Sequence, residues 1–240
     1  LIRPVPPQQR LTRDLLPYTL GMVALDIAAP ILLMLGLART AAAHVSLLNN
    51  FEIVATSVIA LLLFHEKISR RVWAAIALIT LASGLLSFEG TESLRFSAGS
   101  LLVLGACLCW GLENNCTRAL SQKSAMQIVT VKGIFSGLGS LLVAFLSGEH
   151  SPEAGYVLLA MLLGFLSYGL SIFLYVRAQS TLGAARTSAF YSVNPFLAAA
   201  LCLLLLRQPL SPLYPFALAL MLLGLALTVQ ETLVEAPVSR

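Results

Sequence analysis

Four ionisable residues interrupt long apolar runs of this chain: Asp26, Glu52, Glu113 and Lys132. Each costs about 2.5 to 3.5 kcal/mol at the middle of a bilayer, so each needs a partner, a water-filled cavity or neutralisation. Glu113 and Lys132 flank the short polar turn 118–125 at similar depth on consecutive antiparallel helices. That spacing predicts a structural ion pair, which when buried adds little net stability. Asp26 lies four residues before Pro30, whose ring frees a backbone carbonyl and bends a helix. The bend either opens a cavity that hydrates Asp26 or only improves packing.

Glu52 is the strongest candidate for binding or for proton or cation coupling, because a carboxylate is a costly way to obtain packing. It shares a helical face with Asn49 and Thr56, next to Asn50, at the i, i+3, i+7 spacing. A second polar face runs through Tyr191, Asn194 and Ala198, beside the helix-breaking Pro195. Trp110 and Asn114 flank Glu113 on adjoining faces and complete the candidate set. The asparagines taken singly fit hydrogen bonding between helices at least as well as binding, at about 1 kcal/mol or less each.

Other chemistry has no visible apparatus. HExxH, GxSxG and phosphate-loop patterns are absent, and His44, His65 and His150 lie far apart, so we expect no enzyme, no metal and no cofactor. The four cysteines sit in apolar runs without CxxC spacing and read as small packing residues. A net charge of +4 is dispersed between apolar runs, which excludes a nucleic-acid stripe.

The elements that position these residues follow from composition. Apolar residues make up 58% of the 240 and charged residues 11%, too few for a water-facing surface. Eight runs reach the length needed to cross hydrocarbon: Leu15–Ala38, Ala41–Phe64, Val72–Phe88, Ala98–Thr117, Met126–Ser147, Ala154–Val176, Thr187–Leu206 and Pro212–Val229. The expected fold is an all-α, polytopic helical membrane protein. With the N-terminus inside, eleven of the fifteen Lys and Arg fall on the cytoplasmic side, and Arg39, Arg95 and Arg207 fall outside. Both termini are therefore expected in the cytoplasm, in a multi-pass protein of the plasma (inner) membrane. Gly133 and Gly137 form a GxxxG pair, extended by Gly139 and Ser140, which suits close packing within the bundle or a homodimer.

Ala43–Ser69 aligns without a gap on Ala185–Ser211, an offset of 142 residues that pairs Glu52 with Asn194. Five runs follow Ala98 and three precede it, so we expect an incomplete first repeat (15–97) and a second repeat (98–232) between short cytoplasmic ends (1–14 and 233–240). Two opening helices of a 5 + 5 arrangement are then expected upstream of Leu1. A five-helix repeat is odd-numbered, so its duplicate enters the membrane inverted, with sites forming near the midplane between the halves.

FHEKIS at Phe64–Ser69, GAARTSAFYSVNPFLAA at Gly183–Ala199 and CWGLENNCTRAL at Cys109–Leu120 resemble the EamA-like transporters of the drug/metabolite transporter superfamily. The family's Glu after the fourth helix of each repeat matches Glu66, but its partner position holds Gln208; its mid-helix proline matches Pro195, opposite Ile53. The resemblance implies a secondary transporter that exports a small organic metabolite or drug-like solute by alternating access. A non-transporting membrane scaffold or partner subunit is the alternative. The expected partners are the lipid bilayer and a small-molecule substrate.

Overall fold

The computed structural model describes residues 11–40, 45, 48–49, 51–87, 98–149, 153–191, 193, 197, 200, 204 and 212–235. Among them the regular structure is helical throughout. A 3-10 turn, Arg13–Leu15, leads into α1, Leu16–Leu37, which carries Pro17 in its first turn and Pro30 inside. Proline is tolerated at the first site because that N–H has no intrahelical partner. α2 covers Phe51–Leu62, α3 Arg70–Ser87 and α4 Ala98–Leu120. The turn to α5, Ala125–Leu146, ends at Ser124, whose hydroxyl caps the helix by accepting from the Gln127 amide.

α6, Ala154–Leu163, passes without interruption through a π-helical segment, Gly164–Leu170, into α7, Ser171–Leu182. Gly183 then turns the chain at φ 83°, a conformation that glycine adopts without strain. α8, Ala184–Tyr191, and α9, Tyr214–Glu235, complete the described helices.

Arg13–Leu37, Ala125–Leu146, Ala154–Leu182 and Tyr214–Glu231 are long and apolar enough to cross a membrane on their own. α4 has the length, at 23 residues, but Glu113, Asn114 and Asn115 are buried on it and lower its hydropathy. It belongs with the others because its polar face points into the bundle. The sixth run extends past the expected Val176 to Leu182, and the following helix begins at Ala184, ahead of the expected Thr187. Main-chain hydrogen bonding continues through Arg177, Gln179 and Ser180, which hydropathy alone reads as a loop. Parts of the expected runs Ala41–Phe64 and Thr187–Leu206 lie outside the described residues.

Two glycine contacts set α1 against α4. A Cβ on Gly36 would lie 3.0 Å from the Gly99 carbonyl oxygen, and one on Gly21 would lie 3.2 Å from Cys116 Sγ. These antiparallel helices therefore touch at both ends and bring Asp26 beside Glu113. α2 crosses α4 at Gly111, where a Cβ would meet Thr56 N at 2.9 Å. The buried Asn115 amide fastens the crossing by donating to the carbonyls of Thr56 (2.9 Å) and Gly111 (2.8 Å).

α3 and α9 form a second antiparallel pair, close at Gly224 against Ile79 and joined at one end by Arg71 and Glu231, 3.6 Å apart.

α5 and α6 turn large apolar side chains outward, among them Phe135, Leu141, Phe145, Leu158 and Met161. Such a surface is stable only against lipid, so this is an integral membrane protein. The GxxxG expectation needs correction for the interior: nothing lies within 4 Å of a Cβ built on Gly133 or Gly137. Both face outward from α5, whereas Ile128, Lys132 and Ser136 face in. The extension of the motif fares differently: a Cβ on Gly139 would lie 3.2 Å from Ile27 Cγ1, so that position packs against α1 within the bundle.

Candidate functional site

A cavity of about 250 Å³ lies between α1, α2, α4, α5, α7, α8 and the π-helical segment. Its walls include Asp26, Glu52, Glu113 and Lys132, so all four costly residues of the apolar runs meet in one place. Lys132 Nζ stands 3.0 Å from Glu113 Oε1 and 3.2 Å from Asp26 Oδ1, and all three side chains are buried. The sequence-predicted pair is thus one of two ion pairs that Lys132 makes. Glu113 also accepts from Thr117 Oγ1 at 2.6 Å, within its own helix.

Asp26 occupies the turn that Pro30 opens, and its two oxygens accept from the Tyr168 hydroxyl at 2.8 and 2.7 Å. Tyr168 projects from the π-helical segment, whose wider turn redirects side chains relative to a regular helix. The Lys132 ammonium lies 5.8 Å from the centroid of the Tyr168 ring.

Glu52 enters from α2 in different company. Asn114 Nδ2 donates to its Oε1 at 3.2 Å and reaches Thr56 Oγ1 at 3.4 Å. No cation stands within salt-bridge distance of Glu52 among the described residues. The backbone of Asn114 is fixed in turn by Gln179, whose amide donates to its carbonyl at 2.9 Å.

An aromatic wall faces these polar groups. Trp110, Tyr175 and Tyr191 line it, and the last two meet edge to face at 5.3 Å between centroids. Tyr175 shares a hydrogen bond with Ser188 at 3.3 Å.

The other candidates fall elsewhere. Asn49 lies against the Cys107 thiol, which approaches its carbonyl and side-chain oxygens at 3.8 and 3.9 Å, and not on the cavity wall. Asn50, Asn194 and Pro195 lie outside the described residues. Cys107, Cys109 and Cys116 are free thiols. Among the described residues no cluster of His, Cys, Asp or Glu is arranged to hold a metal.

Sequence reasoning passed over Tyr168, Ser171 and Tyr175, which also line the cavity. Their spacing of i, i+3, i+7 within an apolar run was the available signal.

Two segments of the chain, residues 2–88 and 97–230, match the EamA-like transporter family. An uncharacterized transporter of Methanothermobacter thermautotrophicus is 29% identical over 219 residues, which cover 88% of this chain and 63% of that protein. The chain thus spans less than two thirds of the relative's length. A solved crystal structure shares the fold at a TM-score of 0.76 with 15% identity, covering 92% of this chain and 79% of that one.

Proposed function

This chain belongs to the EamA-like transporter family, and we propose that it is a secondary carrier, not an enzyme, which exports a small polar or cationic organic solute. The observation that carries this reading is the charge distribution of the cavity. Its walls hold three carboxylates and one ammonium, and that ammonium is engaged by Asp26 and Glu113. Among the described residues Glu52 is left with an amide donor alone. A carboxylate so placed takes a proton or a cationic ligand as its counter-charge, since leaving it bare in a low-dielectric site is costly. The facing rings of Trp110, Tyr175 and Tyr191 favour the same kind of ligand, because aromatic faces attract cations.

Proton and solute would compete for Glu52, and alternating access of the site to the two sides of the membrane would convert that competition into exchange. The excess of Lys and Arg in the two ends of the chain and in the second, fourth and sixth loops supports cytoplasmic termini in a plasma membrane.

Reconstitution into vesicles with a trapped pH indicator tests the proposal. Adding an organic cation should move protons in vesicles containing the wild-type protein, and Glu52→Gln should abolish that movement while leaving a folded protein. Undiminished, equally pH-dependent flux in Glu52→Gln would remove Glu52 from the coupling role. Silence of the wild type across a panel of cations would instead favour a membrane scaffold or partner subunit.

A further inference from the structure

The offset of 142 residues that aligns the two repeats also pairs three acids of the first half with neutral groups of the second. Glu52 corresponds to Asn194, Glu66 to Gln208 and Asp26 to Tyr168. The last pair was not part of the alignment that set the offset, yet these two side chains are in direct contact, 142 positions apart.

A residue can touch its own equivalent only near the axis relating the two halves. α3 and α9 behave the same way. The contact of Ile79 with Gly224 becomes, on exchanging the halves, Ala82 with Met221, and those two share one buried cluster.

The donors follow the same division. Asp26 accepts from Tyr168 and pairs with Lys132, Glu52 accepts from Asn114, and Glu66 accepts from the Ala184 amide at 3.0 Å. Each of these bonds runs from an acid before position 97 to a donor after it. A faithful repeat would have set a second acid opposite Asp26, and two carboxylates at hydrogen-bond distance do not both stay ionised. A phenol at that place supplies a donor without a charge.

Resting on the carrier reading above, we infer that Tyr168 is a positioning residue of the transport site. It holds both oxygens of Asp26 on the axis between the halves and keeps that carboxylate turned to Lys132, which leaves Glu52 as the acid open to exchange. Its irregular backbone serves this placement: the π-helical segment 164–170 corresponds by the same offset to residues 22–28 of α1, which include Asp26, whose carbonyl Pro30 leaves without its helical donor.

Two variants test this. Tyr168→Phe removes only the hydroxyl. Loss of a hydrogen bond to a charged group predicts turnover of a probe cation, tetraphenylphosphonium, reduced about tenfold, with KM changed less than about threefold. Tyr168→Asp restores the symmetric acid opposite Asp26, in the company of Glu113, Lys132 and Tyr191. Its melting temperature in detergent should fall further below wild type at pH 8 than at pH 5, where one shared proton can bridge the two acids. A role in packing alone predicts a pH-independent fall. Wild-type turnover in Tyr168→Phe, or equal destabilisation of Tyr168→Asp at both pH values, overturns the inference. Should wild-type vesicles move no probe at all, the carrier reading fails separately, and the melting comparison still decides whether Tyr168 and Asp26 act as an axial pair.

Discussion

At one end of the cavity Asp26 and Glu113 hold a single ammonium between them, while at the other Glu52 accepts from an amide. The acids are chemically alike, and only their company differs. The first end has its ammonium, hydroxyl donors from Tyr168 and Thr117, and burial of all three charged side chains, so little remains for a ligand to do there. The second end has a cavity wall, an amide and aromatic rings, and among the described residues no cation stands within salt-bridge distance of its carboxylate. In the carrier proposed above, one end serves architecture and the other exchange.

The contrast breaks most severely at Lys132. Lys132→Met leaves two buried carboxylates without their cation, and removing one partner of a buried pair costs about 3 to 5 kcal/mol. Thermal unfolding of the purified protein in detergent should register that loss, and neutralising Asp26 and Glu113 in the same background should recover part of it.

A smaller effect is expected at Gly111, where a Cβ would press on the backbone of Thr56 and Ala55. Gly111→Ala should cost about 1 to 3 kcal/mol as the helices separate. It should also weaken transport, because the crossing of α2 and α4 brings Asn114 to Glu52.

Glu52→Gln sharpens the comparison from the other side. Replacing an acid that lacks a cation by a neutral amide should change stability by less than about 1 kcal/mol, whereas Glu113→Gln should destabilise by more. Equal melting temperatures for the two variants would erase the distinction between the two ends.

The smallest effect belongs to Gly137→Ala. With open space around that position, the substitution should stabilise α5 by roughly 0.5 kcal/mol. A loss of stability there would mean that another helix occupies the α5 surface, and cross-linking in membranes would identify a second copy.

How much of this could be read from residues alone depended on their cost. Asp26, Glu52, Glu113 and Lys132 stand out in an apolar sequence because burying charge is expensive, and the cavity gathers all four. Tyrosine is cheap in the same setting, with an apolar ring and one hydroxyl, so Tyr168 and Tyr175 were hidden among leucines. That Lys132 reaches Asp26 as well as Glu113 depends on α1 lying along α4, a contact between helices far apart in sequence. Its only local trace is the set of glycines that allow it. Gly133, Gly137 and Gly139 show the limit of such a motif: it records what could approach, and the surrounding helices decide that Gly139 meets Ile27 while the other two meet nothing within this chain's described residues.

The π-helical segment has a consequence for insertions and deletions. α6 buries none of its residues, while α7, the continuation of the same rod, buries Val176 and Gln179. A π turn holds one residue more than an α turn, so removing one from Gly164–Leu170 would restore a regular spiral and leave α6 and α7 facing nearly as before. A codon lost from the regular helix between Ser171 and Gln179 has no such slack: it would turn Gln179 by about 100° away from the Asn114 carbonyl, and should be more damaging than one lost from the π segment.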